Sequence, residues 1–176
     1  MRIITGIYKG RRFDIPRTFK ARPTTDFAKE SIFNVIGGYL DLEGCTALDL
    51  FSGTGGIALE MASRGCSQVV SVEADRDHHA FIRRCVDKIG CRTCVPVRAD
   101  VFRFIKSCHT RFDLVFADPP YDLENLAEIP ALVLEGGVLR EGGLFVFEHG
   151  KRNDFSLHPR FIEHRSYGSV NFSLFR

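Results

Sequence analysis

The chain has 176 residues, of which 44% are hydrophobic and 26% charged, with a net charge of +2. That length and composition fit one soluble α/β-sized domain with a core on both faces of a sheet, and they argue against a disordered chain. No window approaches the ~18 uncharged apolar residues of a membrane span, so no membrane association is expected.

Six cysteines, Cys45, Cys66, Cys85, Cys91, Cys94 and Cys108, are scattered through apolar runs. A disulfide framework belongs to small secreted chains, so free thiols in a reducing cytoplasm are expected. Met1 to Gly6 lacks a long apolar stretch, and no signal peptide is expected. Charge is unevenly placed. Residues 1–22 carry seven Lys/Arg against Asp14 alone, whereas the other 154 residues carry 17 against 21 acids. A basic arm on a mildly acidic body suits docking on a polyanion, although a solvated hairpin has the same signature.

Residues 2–15 alternate loosely around Gly6 and Gly10, which predicts a small hairpin or arm closed by Pro16. We take residues 1–25 as this arm and 26–176 as the main body of a single folding unit. Arg2, Lys9, Arg11, Arg12, Arg17 and Lys20 are the arm's candidate nucleic-acid contacts. Pro23 disfavours helix at Arg22, and Thr25 or Asp26 can cap a helix that starts after it. Phe27, Ile32, Val35 and Ile36 predict that helix, of about ten residues, stopped by Gly37-Gly38.

Thr46 to Phe51 reads as a first buried strand, Ser52 to Gly56 as a tight turn, and Ile57 to Ser63 as a helix stopped by Gly65. A second strand, Val69 to Val72, ends at Glu73. Asp75 to Ile89 is an amphipathic helix with Phe81, Ile82, Cys85, Val86 and Ile89 on one face. Cys94 to Arg98 is a third strand, Val101 to Cys108 a short helix, and Phe112 to Ala117 a fourth strand. Leu126 to Leu134 is helical, with Pro130 in its first turns or breaking it. Leu144 to Phe147 is a fifth strand. Phe161 to Tyr167 and Val170 to Phe175 flank Gly168-Ser169 as a hairpin. Repeated strand–helix units imply an α/β fold: a mostly parallel sheet with helices on both faces, here closed by a hairpin that adds one antiparallel strand.

Asp118-Pro119-Pro120-Tyr121 follows the fourth strand. Prolines cannot continue a central strand, so the chain must leave the sheet there with its carbonyls still able to accept. Asp118 and the Pro119 carbonyl could accept from an exocyclic amine, and Tyr121 could stack on a planar base. Asp49, Ser52, Gly53 and Gly55 join a strand to a helix N-terminus, where glycines admit a ligand to the backbone. Glu73 lies 18 residues beyond Gly55, at the next strand end, where a carboxylate can hold ribose hydroxyls. Asp100 occupies the equivalent place after the third strand and could accept from an adenine amine. Gly53-x-Gly55-x-x-Ala58 also fits a dinucleotide fingerprint. Asp49, however, would repel a pyrophosphate and suits an ammonium.

Together these residues resemble a Rossmann-like class I methyltransferase that uses S-adenosylmethionine and methylates amines. Arg2-Ile3-Ile4-x-Gly6-x-Tyr8-Lys9-Gly10-Arg11, Arg22-Pro23-Thr24-Thr25-Asp26 and Glu30-Ser31-Ile32-Phe33-Asn34 narrow the resemblance to the RsmD-type enzymes. It covers nearly the whole chain. It implies a seven-stranded sheet and methylation of the exocyclic N2 amine of a guanine in small-subunit (16S) ribosomal RNA, guanine 966 in that family. It further implies S-adenosylhomocysteine as product, a cytoplasmic monomer, and a substrate that is RNA within a small-subunit particle. Asp49, Ser52, Gly53 and Gly55 would line the methionine end of the cofactor, Glu73 the ribose and Asp100 the adenine. Arg22, Thr24 and Thr25 would lie against the same pocket. Asp118, Pro119, Pro120 and Tyr121 would hold the target base. The chain departs from a common family pattern at Glu73-Ala74-Asp75, where a bulkier residue often follows the glutamate.

Other signals weigh less. Cys91-x-x-Cys94 has zinc-like spacing but no second pair at a suitable distance, and no metal is expected. His78-His79 reads as a solvated helix face. Nearly all of the sixteen Phe are expected in the core, Phe102 being the one to test beside Tyr121. Two rival functions use the same residues: a DNA adenine-N6 methyltransferase, and an RNA-binding assembly factor without turnover. A nicotinamide oxidoreductase is more distant.

Overall fold

Apolar runs bounded by glycine and proline became strands, and amphipathic runs became the helices that cover them. The computed structural model describes residues 1–20 and 23–176. In chain order the elements are α1 (Asp26–Tyr39), β1 (Thr46–Leu50), α2 (Gly56–Ser63), β2 (Gln68–Glu73), α3 (Arg76–Ile89), β3 (Cys94–Arg98) and α4 (Val101–Ser107). Then come β4 (Phe112–Ala117), a 3-10 turn (Leu126–Glu128), α5 (Ile129–Glu135), β5 (Leu139–His149), β6 (Phe161–Tyr167) and β7 (Val170–Phe175).

The seven strands form one sheet in the order β3-β2-β1-β4-β5-β7-β6. β1 to β5 are parallel. β7 runs antiparallel between β5 and β6, as the terminal hairpin predicts. Strand side chains alternate between two cores, as a pleated sheet requires. Ala47, Val69, Leu114, Phe116 and Val146 pack with Ile32, Phe33 and Ile36 of α1 and with α2 and α3. Leu48, Leu50, Val70, Val115 and Phe145 pack with Val101 and Ile105 of α4 and with Ile129 and Val133 of α5.

Three expectations need correction. Gly37-Gly38 do not stop α1, which runs on to Tyr39 with the Leu40 N–H bonded to the Ile36 carbonyl at 2.9 Å. Each glycine costs ~1 kcal/mol in a helix, but Tyr39 and Leu40 pack on the core and outweigh it. β5 starts at Leu139, not Leu144. Leu139 pairs with Phe112 and Leu144 with Leu114, so Gly142-Gly143 bulge out of a continuing strand. Phe27 does not join Ile32 and Ile36 in the core; it is 68% exposed. Pro130 falls in the first turn of α5, after the 3-10 turn, where its missing N–H costs nothing.

The N-terminal residues form a short hairpin with an antiparallel bridge between Arg2 and Arg12. Ile3 and Phe13 are buried in the α1–α3 core. Glu60 of α2, fully buried, anchors this hairpin. Its carboxylate accepts from the Ile4 N–H (2.8 Å), the Thr5 N–H (3.0 Å) and Arg64 Nε (3.0 Å), and it faces Lys29 Nζ at 3.8 Å. Lys29 in turn donates to the Arg2 carbonyl. A buried carboxylate needs this many donors to offset its desolvation.

Candidate active site

Strand order reverses between β1 and β4, and open α/β sheets bind ligands outside the carboxyl ends of strands at such a point. A cleft of about 1370 Å³ opens there. Its walls include Asp49, Ser52, Gly53 and Glu73 on one side and Asp118 to Tyr121 with Glu148 on the other.

On the first side, β1 ends and Phe51 takes a left-handed backbone with φ 61°. For a non-glycine residue that costs ~1–3 kcal/mol and is kept where the surroundings enforce it. The turn continues through Gly53 (φ 54°) to Gly55 (φ 78°), the residue before α2. A Cβ at Gly55 would lie 3.0 Å from Ile82 Cγ1, so both conformation and space require glycine. Asp49 is 1% exposed. Its Oδ2 accepts from the Ala58 N–H at 3.2 Å, and Ser52 Oγ donates to the Asp49 carbonyl at 2.9 Å. Burial pushes the Asp49 carboxyl up to about 7, and it has no ion-pair partner among the described residues. Glu73 accepts from the Gly53 N–H at 2.7 Å and the Asp75 N–H at 2.8 Å. It therefore holds the glycine turn while still lining the cleft.

On the second side, the Asp118 N–H extends the β1–β4 ladder by one bond, to the Leu50 carbonyl at 3.3 Å. The Pro120 carbonyl accepts from the Leu123 N–H at 3.0 Å, whereas the Pro119 carbonyl accepts nothing among the described residues. Tyr121 is 48% exposed, and its hydroxyl donates to Glu148 Oε1 at 2.7 Å. Ala117 pairs with Phe147, so Asp118 and Glu148 leave neighbouring strands side by side. Glu148 is buried, and its Oε2 has no hydrogen-bond partner among the described residues. Burial, then the negative charges of Glu148 and Asp49, hold the Asp118 carboxyl well above its usual range. Burial raises Glu148 as well, against its bond from Tyr121. Two buried carboxylates side by side disfavour double ionisation, so the pair favours keeping a proton. Burial, with Glu148 beside it, also raises the Tyr121 hydroxyl, which stays protonated as a donor.

Thr24, Thr25, Arg2, Arg12 and Lys20 line the cleft as well. Thr25 also caps α1, its Oγ1 accepting from the Ala28 N–H at 3.2 Å. Lys9, Arg11 and Arg17 are exposed and lie outside the cleft walls. Asp100 lies outside those walls too; it caps α4 by accepting from the Arg103 N–H at 3.0 Å. Arg22 falls outside the described residues. His78 is half-buried and lines the cleft with its ring 4.3 Å from that of Phe19. Cys91 and Cys94 are both buried, and no cluster of three His, Cys, Asp or Glu suited to a metal exists among the described residues. No helix among them is long and apolar enough to cross a membrane.

Sequence reading missed Glu148, Phe51 and Lys29 as wall residues. Glu148 had one signal, an acid ending the apolar run Leu144 to Phe147. Phe51 and Lys29 had none, since a strained backbone and a buried lysine are visible only in three dimensions.

The whole chain, residues 1–176, matches the protein family described as Conserved hypothetical protein 95. It is similar to YlbH of Bacillus subtilis, 36% identical over 155 residues, which are 86% of this chain and 83% of that protein. It is also similar to Ribosomal RNA small subunit methyltransferase D of Escherichia coli K12, 28% identical over 159 residues, covering 90% of this chain and 79% of the other. Among solved structures, the hypothetical protein TTHA0928 of Thermus thermophilus superposes with a TM-score of 0.87 at 28% identity, over 100% of this chain and 99% of that one.

Proposed function

The chain belongs to the RsmD-type family of rRNA methyltransferases, and from that premise we propose that it transfers a methyl group from S-adenosylmethionine to the N2 amine of a guanine in 16S rRNA. The family's guanine 966 is the proposed target. The observation that carries this reading is the pair of acceptors, Asp118 and the Pro119 carbonyl, at the switch point of the sheet beside the exposed face of Tyr121.

The residues of the opposite wall fit the cofactor. Asp49 is buried without a cation partner among the described residues, which suits an incoming ammonium. Gly53 leaves its backbone open to close approach at the cleft, Gly55 lies outside the cleft walls and shapes the turn by making room for Ile82, and Glu73 has lone pairs left for ribose hydroxyls. We assign Asp100 to the adenine amine through Oδ2, because Oδ1 is engaged in the α4 cap. When bound, S-adenosylmethionine supplies an electrophilic methyl group on a positively charged sulfur.

The rest is done by the chain. Asp118 and the Pro119 carbonyl accept the two amine hydrogens, which draws the nitrogen lone pair out of conjugation with the ring. They also stabilise positive charge as it develops on nitrogen. Tyr121 covers the base, and Glu148 fixes the Tyr121 hydroxyl. The ionised member of the Asp118–Glu148 pair accepts the proton released by the methylated nitrogen and returns it to water. Holding the amine in line supplies much of the remaining acceleration. The basic residues of the cleft, Arg2, Arg12 and Lys20, take RNA phosphates. The proposed setting is a cytoplasmic monomer acting on a small-subunit particle.

The test is the identity of the product. Unmodified small-subunit particles, rRNA extracted from them and genomic DNA are each incubated with labelled cofactor, then digested to nucleosides. Label in N2-methylguanosine from rRNA is expected. Label in N6-methyladenosine from DNA would move the chain to a DNA enzyme. No label in any substrate, with cofactor bound, would leave an RNA-binding factor.

A further inference from the structure

Phe27 is a large apolar residue that helical periodicity places with the core and that the fold leaves 68% exposed. It sits in the first turn of α1, directly after Thr25 and Asp26, both of which line the cleft. Its ring stands edge-on to Tyr167, with centroids 6.0 Å apart and planes at 88°. Tyr167 is backed by the buried ring of Phe172 at 6.2 Å. Phe27 therefore rests against an anchored aromatic and leaves most of its surface open to solvent.

The pair continues the cleft wall. Ser169 and Val170, just after Tyr167, line the cleft as Asp26 does. Along the carboxyl edge of the sheet, Asp118 follows β4, Glu148 ends β5, Val170 opens β7 and Tyr167 ends β6. Tyr167 thus lies three strand spacings across the sheet from Asp118 and two residues further along, ~16 Å away. That is too far to touch the base held at Asp118 and within reach of a nucleotide beside it.

The acid that opens α1 carries its own cation, and further basic side chains stand on the same cleft. Arg2 Nε neutralises Asp26 at 2.8 Å, and Arg2, Arg12 and Lys20 line the same cleft. A single aromatic face at a polar rim lacks the contiguous apolar area of a protein-binding core, but it is the usual platform for a base.

We propose that Phe27, braced by Tyr167, is a stacking platform for a nucleobase flanking the target in the RNA substrate. This rests on the RNA methyltransferase reading. It adds a second base contact that holds the strand so that the target nucleotide is presented to Asp118.

Phe27→Ala, Phe27→Leu and Phe27→Trp test it, because an exposed site tolerates all three. Two quantities are measured: KM for unmodified small-subunit particles, and equilibrium binding to 16S rRNA extracted from them. The Ala and Leu variants should raise KM and weaken rRNA binding about tenfold, the Trp variant should match wild type, and cofactor affinity should not change. Unchanged RNA affinity in Phe27→Ala would overturn the platform. A Leu variant equal to wild type would do the same, since apolar contact without stacking would then suffice. An effect on particles with none on extracted rRNA would replace the base with a ribosomal protein. Wild-type protein that transfers no methyl group to rRNA would overturn the activity itself and the platform with it.

Discussion

Asp49 is buried, has no ion-pair partner among the described residues, and has its carboxyl raised to about 7. Because the folded value lies above the ordinary 3.8, the protonated form is favoured in the free protein. Ionising Asp49 costs stability, and that cost grows as pH rises from 3.8 and is complete above about 7. An arriving ammonium needs the ionised form. Cofactor affinity should therefore increase as pH rises through about 7, with a proton released on binding, until the cofactor's own amine deprotonates near ~8. Calorimetry in buffers of different ionisation heat reads that proton, and Asp49→Asn should abolish its release. Glu148 makes a second prediction. Its charge helps to hold Asp118 high, so Glu148→Gln should move the acid limb of the pH–rate profile to lower pH. The Gln can still accept from Tyr121, so turnover should fall far less than in Asp118→Ala. An unmoved acid limb would mean that the two carboxyls do not share a proton. Asp49 and Asp118 were legible in the sequence because each lies at the carboxyl end of a recognisable apolar run. Glu148 was not legible as a partner, because only the register between β4 and β5 sets it beside Asp118.

At the scale of elements, the N-terminal hairpin is held to α2 by specific backbone contacts. Its Ile7 N–H donates to the Ser63 carbonyl at 2.9 Å, and its Tyr8 N–H donates to Ser63 Oγ at 3.0 Å. Gly6 has φ 87°, and a Cβ there would meet the Ser63 carbonyl oxygen at 1.8 Å. Gly6→Ala should cost ~1–3 kcal/mol in chemical denaturation and weaken RNA binding by displacing Arg2 and Arg12. Cofactor affinity should be spared, since the turn after β1 is untouched. The basic arm was legible from charge, but its docking was not, because Ile3, Phe13 and Glu60 meet only through long-range packing. Gly37-Gly38 and Gly142-Gly143 misled the reading for the same reason: tertiary pairing carried α1 and β5 through them.

For the whole molecule, strand order places two walls at one cleft, one proposed for the cofactor and one for the base. The alternation of strands and helices was enough to predict the α/β layers. The insertion of β7 between β5 and β6 follows from pairing that no local pattern encodes. The positive side chains at the cleft predict steep salt dependence of RNA binding. Reversing Arg12 and Lys20 together should reduce the slope of log affinity against log salt by ~1.4, about 0.7 for each lost phosphate contact. An unchanged slope would place the RNA elsewhere.

The central claim is that Asp118, at the end of β4, acts on the amine. The measurement that tests it most directly is single-turnover methyl transfer to the rRNA substrate by Asp118→Ala, with cofactor and RNA affinities measured alongside. A loss on the order of 10²–10³ in rate is expected, with both affinities within a few fold of wild type. Near-normal turnover would contradict it.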